Sequence, residues 1–157
     1  IYKLMEQRMQ LTLSVSLHAP NDEIRSKMMP VNKRWPVNEV LKACRDYAEV
    51  TGRRVSFEYA MVSGVNDSDD CALELARRLK GIHCHVNLIP LNEVSDSNNS
   101  IQSSGEQNLL QSSKRERIDR FKSLLEKMGV NVTVRRTLGA DINASCGQLR
   151  RRHQQGL

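Results

Sequence analysis

Aromatic residues are scarce in this chain, at 4% of 157 residues, so the core has to be built from aliphatic side chains. No stretch approaches the ~20 consecutive apolar residues that a membrane-spanning helix needs, and no basic, apolar, small-residue signal pattern opens the chain. A soluble, cytoplasmic protein with no membrane partner is expected, or an organellar one in a eukaryote. The four cysteines, Cys44, Cys71, Cys84 and Cys146, lack any CxxC spacing, which argues against a zinc site or a secreted disulfide framework. An initial methionine is also missing. Ile1 leads into Tyr2-Lys3-Leu4-Met5-Glu6-Gln7-Arg8-Met9, which reads as the end of a helix already under way and suggests a fragment or processed product.

What is present begins with positive charge. Lys and Arg number 24 against 18 Asp and Glu, a formal charge of +6, which favours a polyanionic partner through counterion release. The length suits one domain with a substantial core.

Leu11-Thr12-Leu13-Ser14-Val15-Ser16-Leu17 alternates with the period of a strand, and His18-Ala19-Pro20 stops it. Asn21 or Asp22 is placed to cap a short helical turn. Lys33-Arg34-Trp35-Pro36 reads as an exposed connection. A helix follows, with Val40, Leu41, Cys44, Tyr47 and Ala48 on one face, Asn38 as its cap and Gly52 as its stop. Residues 53–62 form the next strand; Glu58 within it faces either solvent or a polar interior. Ser63-Gly64-Val65-Asn66-Asp67 signals a turn, and a helix from about Asp69 to Lys80 buries Cys71, Leu75, Ala76 and Leu79. Cys44 and Cys71 both read as packing.

The third strand, 85–92, ends in Pro90-Leu91-Asn92. Residues 93–112 are too polar to bury a core and predict a long mobile loop. Ser113-Lys114-Arg115-Glu116 matches a capping box. The helix it opens buries Ile118, Phe121, Leu124, Leu125 and Met128 and stops at Gly129. Val130-Asn131-Val132-Thr133-Val134 is the last strand, and Leu149-Arg150-Arg151-Arg152-His153 is a basic tail, either a solvated terminus or a grip on phosphate. This strand–helix alternation predicts an α/β fold with a mainly parallel sheet and right-handed crossovers. Function in such sheets gathers at the carboxyl ends of the strands. Three unusual stretches fall there: His18-Ala19-Pro20, Pro90-Leu91-Asn92, and Asp141-Ile142-Asn143-Ala144-Ser145-Cys146-Gly147-Gln148-Leu149. Taken alone, Cys146 is either a half-buried residue in a turn or a mobile thiol.

In that order, Ser16-Leu17-His18-Ala19-Pro20-Asn21-Asp22, Val86-Asn87-Leu88-Ile89-Pro90-Leu91-Asn92 and the segment around Cys146 resemble the C-terminal half of the radical S-adenosylmethionine RNA methyltransferases that act on carbon 2 of adenine. Their substrates are 23S ribosomal RNA and, for some members, transfer RNA. The resemblance implies that residues 1–157 are a single C-terminal segment of that domain, part of a partial (βα)6 barrel. It places S-adenosyl-L-methionine on Ser16, Leu17, His18 and Asn92, and makes Cys146 the methyl-carrying nucleophile. In the family scheme, a second S-adenosylmethionine is cleaved reductively to a 5′-deoxyadenosyl radical, which takes hydrogen from the S-methyl group. The carbon radical adds to adenine, and a second cysteine resolves the thioether. Partners implied are RNA and an electron donor, with the protein a monomer.

The chain departs from the family in lacking the CxxxCxxC motif that binds a [4Fe–4S] cluster, the glycine-glutamate cofactor segment and the resolving cysteine. Taken alone it is therefore expected to be catalytically incompetent and to bind no metal. Asn143 stands where the family usually has aspartate, and the polar stretch at 93–112 is longer than typical. Two other readings share the residues: a related branch that methylates carbon 8 of the same base, and a non-catalytic RNA-binding remnant.

Overall fold

The computed structural model describes residues 1–7, 11–91 and 111–135. The elements run α1 (Tyr2–Glu6), β1 (Leu13–Ser16), α2 (Asp22–Met28), a 3-10 turn (Pro30–Lys33), α3 (Val37–Thr51), β2 (Val55–Met61), α4 (Asp69–Leu79), β3 (Cys84–Pro90), α5 (Arg115–Lys127) and β4 (Val132–Val134). The four strands lie in the order β1-β2-β3-β4, each parallel to its neighbour. Parallel pairing of successive strands needs a crossover each time, and the helices supply it. The α/β class and mainly parallel sheet are as the sequence predicts.

Strand period two divides the sheet. Val55, Phe57, Tyr59 and Met61 of β2 and Val86 and Leu88 of β3 are fully buried, packed with Leu41, Cys44, Leu75, Leu79, Phe121 and Leu125 of the helices. Tyr59 and Phe121 meet with ring centroids 5.3 Å apart, worth about 0.5–1.5 kcal/mol beyond burial. The alternate residues form the other face. In register across the strands, one row there is Ser16, Glu58, Asn87 and Thr133, all polar and none buried. That row answers the question about Glu58: its carboxylate lies on the open polar face, where Asn87 Nδ2 donates to Oε2 at 2.9 Å.

Two predicted caps are corrected. α3 starts at Val37 behind Pro36, not at Asn38, and its first free N–H, that of Val37, is taken by Asp22 Oδ1 at 2.7 Å. Asn38 instead accepts from Arg78. At α5, Lys114 holds the cap position with no side-chain cap bond. Ser113 is buried and donates to Asp67 Oδ2 at 2.8 Å rather than closing a capping box. The predicted polar loop is shortened at its far end, because Ser112 bridges antiparallel to Val62 and Gln111 accepts from Ser63 N–H. Its remaining residues lie outside the described ones. Among the described residues, no helix is long and apolar enough to cross a membrane.

Candidate functional site

The carboxyl end of β1 is built by residues distant in sequence. Leu17 and His18 both donate their N–H to the Glu58 carbonyl, at 3.1 and 3.2 Å, which carries the β1–β2 pairing past the last strand residue. The outgoing carbonyls are met by Arg25, which is 3% exposed. Its Nε donates to Leu17 O at 3.0 Å and one terminal nitrogen to Ser16 O at 3.1 Å. The other terminal nitrogen reaches Asn32 Oδ1 at 2.8 Å and Trp35 O at 3.0 Å. Burial lowers the Arg25 pKa, and nearby Asp22 opposes that shift.

His18 has φ +59°, a left-handed conformation uncommon outside glycine, in which asparagine, aspartate and histidine are the enriched types. Its ring is fixed by Ala60, whose N–H donates to Nδ1 at 3.0 Å. Since Nδ1 accepts, it carries a lone pair, and the proton of the neutral ring sits on Nε2. Among the described residues nothing accepts from that Nε2–H. Burial lowers the His18 pKa, the positive charge of Arg25 lowers it further, and Glu58 pulls the other way. Burial and Arg25 thus favour the neutral imidazole, which leaves one N–H on offer two residues after the exposed Ser16.

That shift predicts a pH dependence. The unfolded histidine titrates near its ordinary value of about 6.5, above the folded one, so on acidification the unfolded chain takes up the proton first. Stability present above about pH 6.5 is lost as pH falls through the folded value. Urea unfolding between pH 7.5 and 5 should show a falling midpoint, and His18→Gln should remove part of the slope. His85, lowered by burial and by Arg54, contributes to the slope in the same direction.

The predicted site residues thus divide. Ser16 and His18 present side chains at the end of β1. Leu17 is fully buried, with both backbone polar groups bonded internally. Asn92 and Cys146 lie outside the described residues. Two residues essential to this geometry escape a reading of the sequence. Arg25 looks like a solvated position on a short polar helix, and Asn66 like a turn former. Asn66 is fully buried; its amide donates to His18 O at 2.7 Å and Ala60 O at 2.6 Å, and its Oδ1 accepts from Val62 N–H at 2.8 Å.

This edge fits one cofactor chemistry and not another. The Ser16 hydroxyl can donate and accept, and His18 Nε2–H donates, which suits the ribose and amino-acid polar groups of S-adenosylmethionine. The described residues offer no ligand set for a [4Fe–4S] cluster. Among the described residues no group of three His, Cys, Asp or Glu side chains could hold a metal ion. Burial pushes the Cys44 thiol up to about 12 and the Cys84 thiol to about 11, whereas cluster ligation needs thiolates. Native-state alkylation at pH 8 should label Cys44 and Cys84 roughly 100-fold or more slowly than a free thiol, from thiolate fraction alone. Iron and sulfide added anaerobically to the 157-residue chain should give no four-iron absorbance; a stable cluster would overturn this reading.

No protein-family model matches the chain. Its curated relatives include a probable dual-specificity RNA methyltransferase RlmN of Pelotomaculum thermopropionicum, 50% identical over 153 residues, covering 97% of this chain and 39% of the relative. The protein of the same description from Desulforamulus reducens is 47% identical over 152 residues, covering 97% and 40%. The chain thus spans about 40% of the length of these relatives. A radical SAM methyltransferase from Sphaerobacter thermophilus superposes with a TM-score of 0.80 at 47% identity, over 93% of this chain and 40% of that one. A domain of pyruvate-formate lyase-activating enzyme from Bacteroides vulgatus superposes at 0.63 with 17% identity, over 86% of this chain and 72% of that one. At that identity only the fold is shared.

Proposed function

Because the chain belongs to the radical SAM RNA methyltransferase family, over the 40% of its relatives' length that it spans, we propose that it is the part of such an enzyme that binds S-adenosylmethionine along the β1 end and receives the methyl group on Cys146. Ser16, His18 and Asn92 hold the cofactor by their side chains, and Leu17 sets the strand end between the first two. S-adenosylmethionine supplies a sulfonium-activated methyl group. Cys146, as thiolate, is the nucleophile that accepts it. The family resemblance assigns the cluster ligands and the resolving cysteine to a region N-terminal to the segment matched here.

The observation that carries the proposal is His18 at the carboxyl end of a parallel strand, with Nδ1 accepting from Ala60 N–H and Nε2–H unclaimed among the described residues, two residues after the exposed Ser16. It occurs in a chain 47–50% identical to proteins described as RNA methyltransferases. The proposed substrate is carbon 2 of an adenine in 23S ribosomal RNA, with transfer RNA as a second substrate. The formal charge of +6 suits either polyanion. An external electron donor, a monomeric state and a cytoplasmic setting complete the proposal.

The test is a chimera in which this chain replaces the matching segment of the Desulforamulus reducens relative. Methylated adenine in RNA, with labelled methyl on Cys146, is the expected result. A folded, cluster-loaded chimera that leaves RNA unmodified would overturn the proposal.

A further inference from the structure

His18, Ala60 and Asn66 form a closed ring of hydrogen bonds. Asn66 Nδ2 donates to the carbonyls of both other residues, and the Ala60 N–H returns to the His18 ring. Both peptide groups that decide how His18 stands therefore pass through one side chain. The His18 carbonyl is held directly, which locks the left-handed backbone. The imidazole is held indirectly, because the Ala60 N–H it accepts sits on a residue whose own carbonyl Asn66 has clamped.

We propose that Asn66 is a positioning residue for His18, holding the backbone conformation and the Nε2–H tautomer with which His18 meets S-adenosylmethionine. The identity of that ligand rests on the function proposed above; the link from Asn66 to His18 does not.

The chemistry of the amide explains why asparagine serves here. Its nitrogen supplies two donors to two carbonyls, and its oxygen accepts from Val62 N–H at 2.8 Å. Aspartate has nearly the same shape but only acceptors, and it would set a carboxylate oxygen against the two carbonyl oxygens. Asn66 also accepts from Tyr59 Oη at 2.7 Å, but through its backbone carbonyl, so that bond survives a change of side chain. A residue that merely shaped the turn before α4 would affect stability while leaving the His18 ring as it is.

The experiment reads His18 itself, by nitrogen NMR of the labelled 157-residue chain. In the wild type, a scalar coupling across the hydrogen bond from Ala60 N to His18 Nδ1, a second from Asn66 Nδ2 to the His18 carbonyl carbon, and a single Nε2–H tautomer are expected. Absence of either coupling overturns the proposal without any variant. In Asn66→Asp, with the amides of α4 and α5 confirming the fold, His18 should become a tautomer mixture and its pKa should move toward the ordinary 6.5. A folded variant with an unchanged His18 overturns the proposal. Asn66→Ser, smaller and able to keep one of the bonds, is read in the same way should the aspartate variant not fold. In the chimera, Asn66→Asp should weaken S-adenosylmethionine binding about tenfold, the worth of an orienting hydrogen bond. If the wild-type chimera binds none while both couplings are present, the proposed function fails and the Asn66–His18 link stands.

Discussion

Cys146→Ala in the chimera is expected to abolish RNA methylation, a fall on the order of 10⁴-fold or more, the scale seen when a covalent nucleophile is removed. Accepting a methyl group from a sulfonium requires a lone pair on a soft, polarisable atom, and alanine has none. Ser16 and His18 are untouched by the change, so S-adenosylmethionine should bind the variant as before. Loss of turnover with retained binding separates a missing acceptor from a damaged pocket. Mass spectrometry gives the same answer independently, since the peptide containing Cys146 should carry labelled methyl only in the wild type. RNA methylation that persists in the variant would move the acceptor role to another residue. The other cysteines are poor replacements: Cys44, Cys71 and Cys84 are buried in the helix-packed core.

The second large effect concerns stability. Arg25→Met should destabilise the fold by about 3–5 kcal/mol, the range for removing one partner from a buried charged network. Replacing buried ionic groups by apolar ones is tolerated when every member of the network goes together. Here the partners stay, because three of the four acceptors are backbone carbonyls, those of Ser16, Leu17 and Trp35. Each loses its donor, at about 1–3 kcal/mol apiece before relaxation. Arg25→Lys keeps the charge, but a single ammonium cannot span three directions as the planar fork does, and it should fall between the two. Urea unfolding measures both. A methionine variant within about 1 kcal/mol of wild type, inside the usual range for substitutions away from special features, would mean the strand end needs no such support.

The elements themselves were largely legible. Apolar residues three and four apart announce α3, α4 and α5, and alternation announces β1 and β4, because both periods follow from backbone geometry alone. Gly52 and Gly129 mark helix ends where φ is +66° and +81°. The caps were less legible. Ser113 and Glu116 have capping-box spacing, yet Asp67 claims the serine hydroxyl from 46 residues away. Asn38 was a reasonable N-cap by residue type, but the free N–H of Val37 is met by the Asp22 carboxylate, 15 residues upstream. A local pattern states what a side chain can do; which of its bonds it makes depends on what else is packed beside it.

The strand end at His18 divides in the same way. Sequence alone determined that an alternating strand stops at His18-Ala19-Pro20, that such ends are where function gathers in a parallel sheet, and that the motif there resembles one that binds S-adenosylmethionine. Only the tertiary structure decided that His18 takes a left-handed backbone, that its proton sits on Nε2, and that Arg25 and Asn66 hold the three carbonyls from Ser16 to His18. Periodicity is written between neighbours in the chain and survives as a readable signal. Satisfying a buried polar group is settled between residues up to 48 positions apart, once folding has removed the water that would otherwise have bonded them.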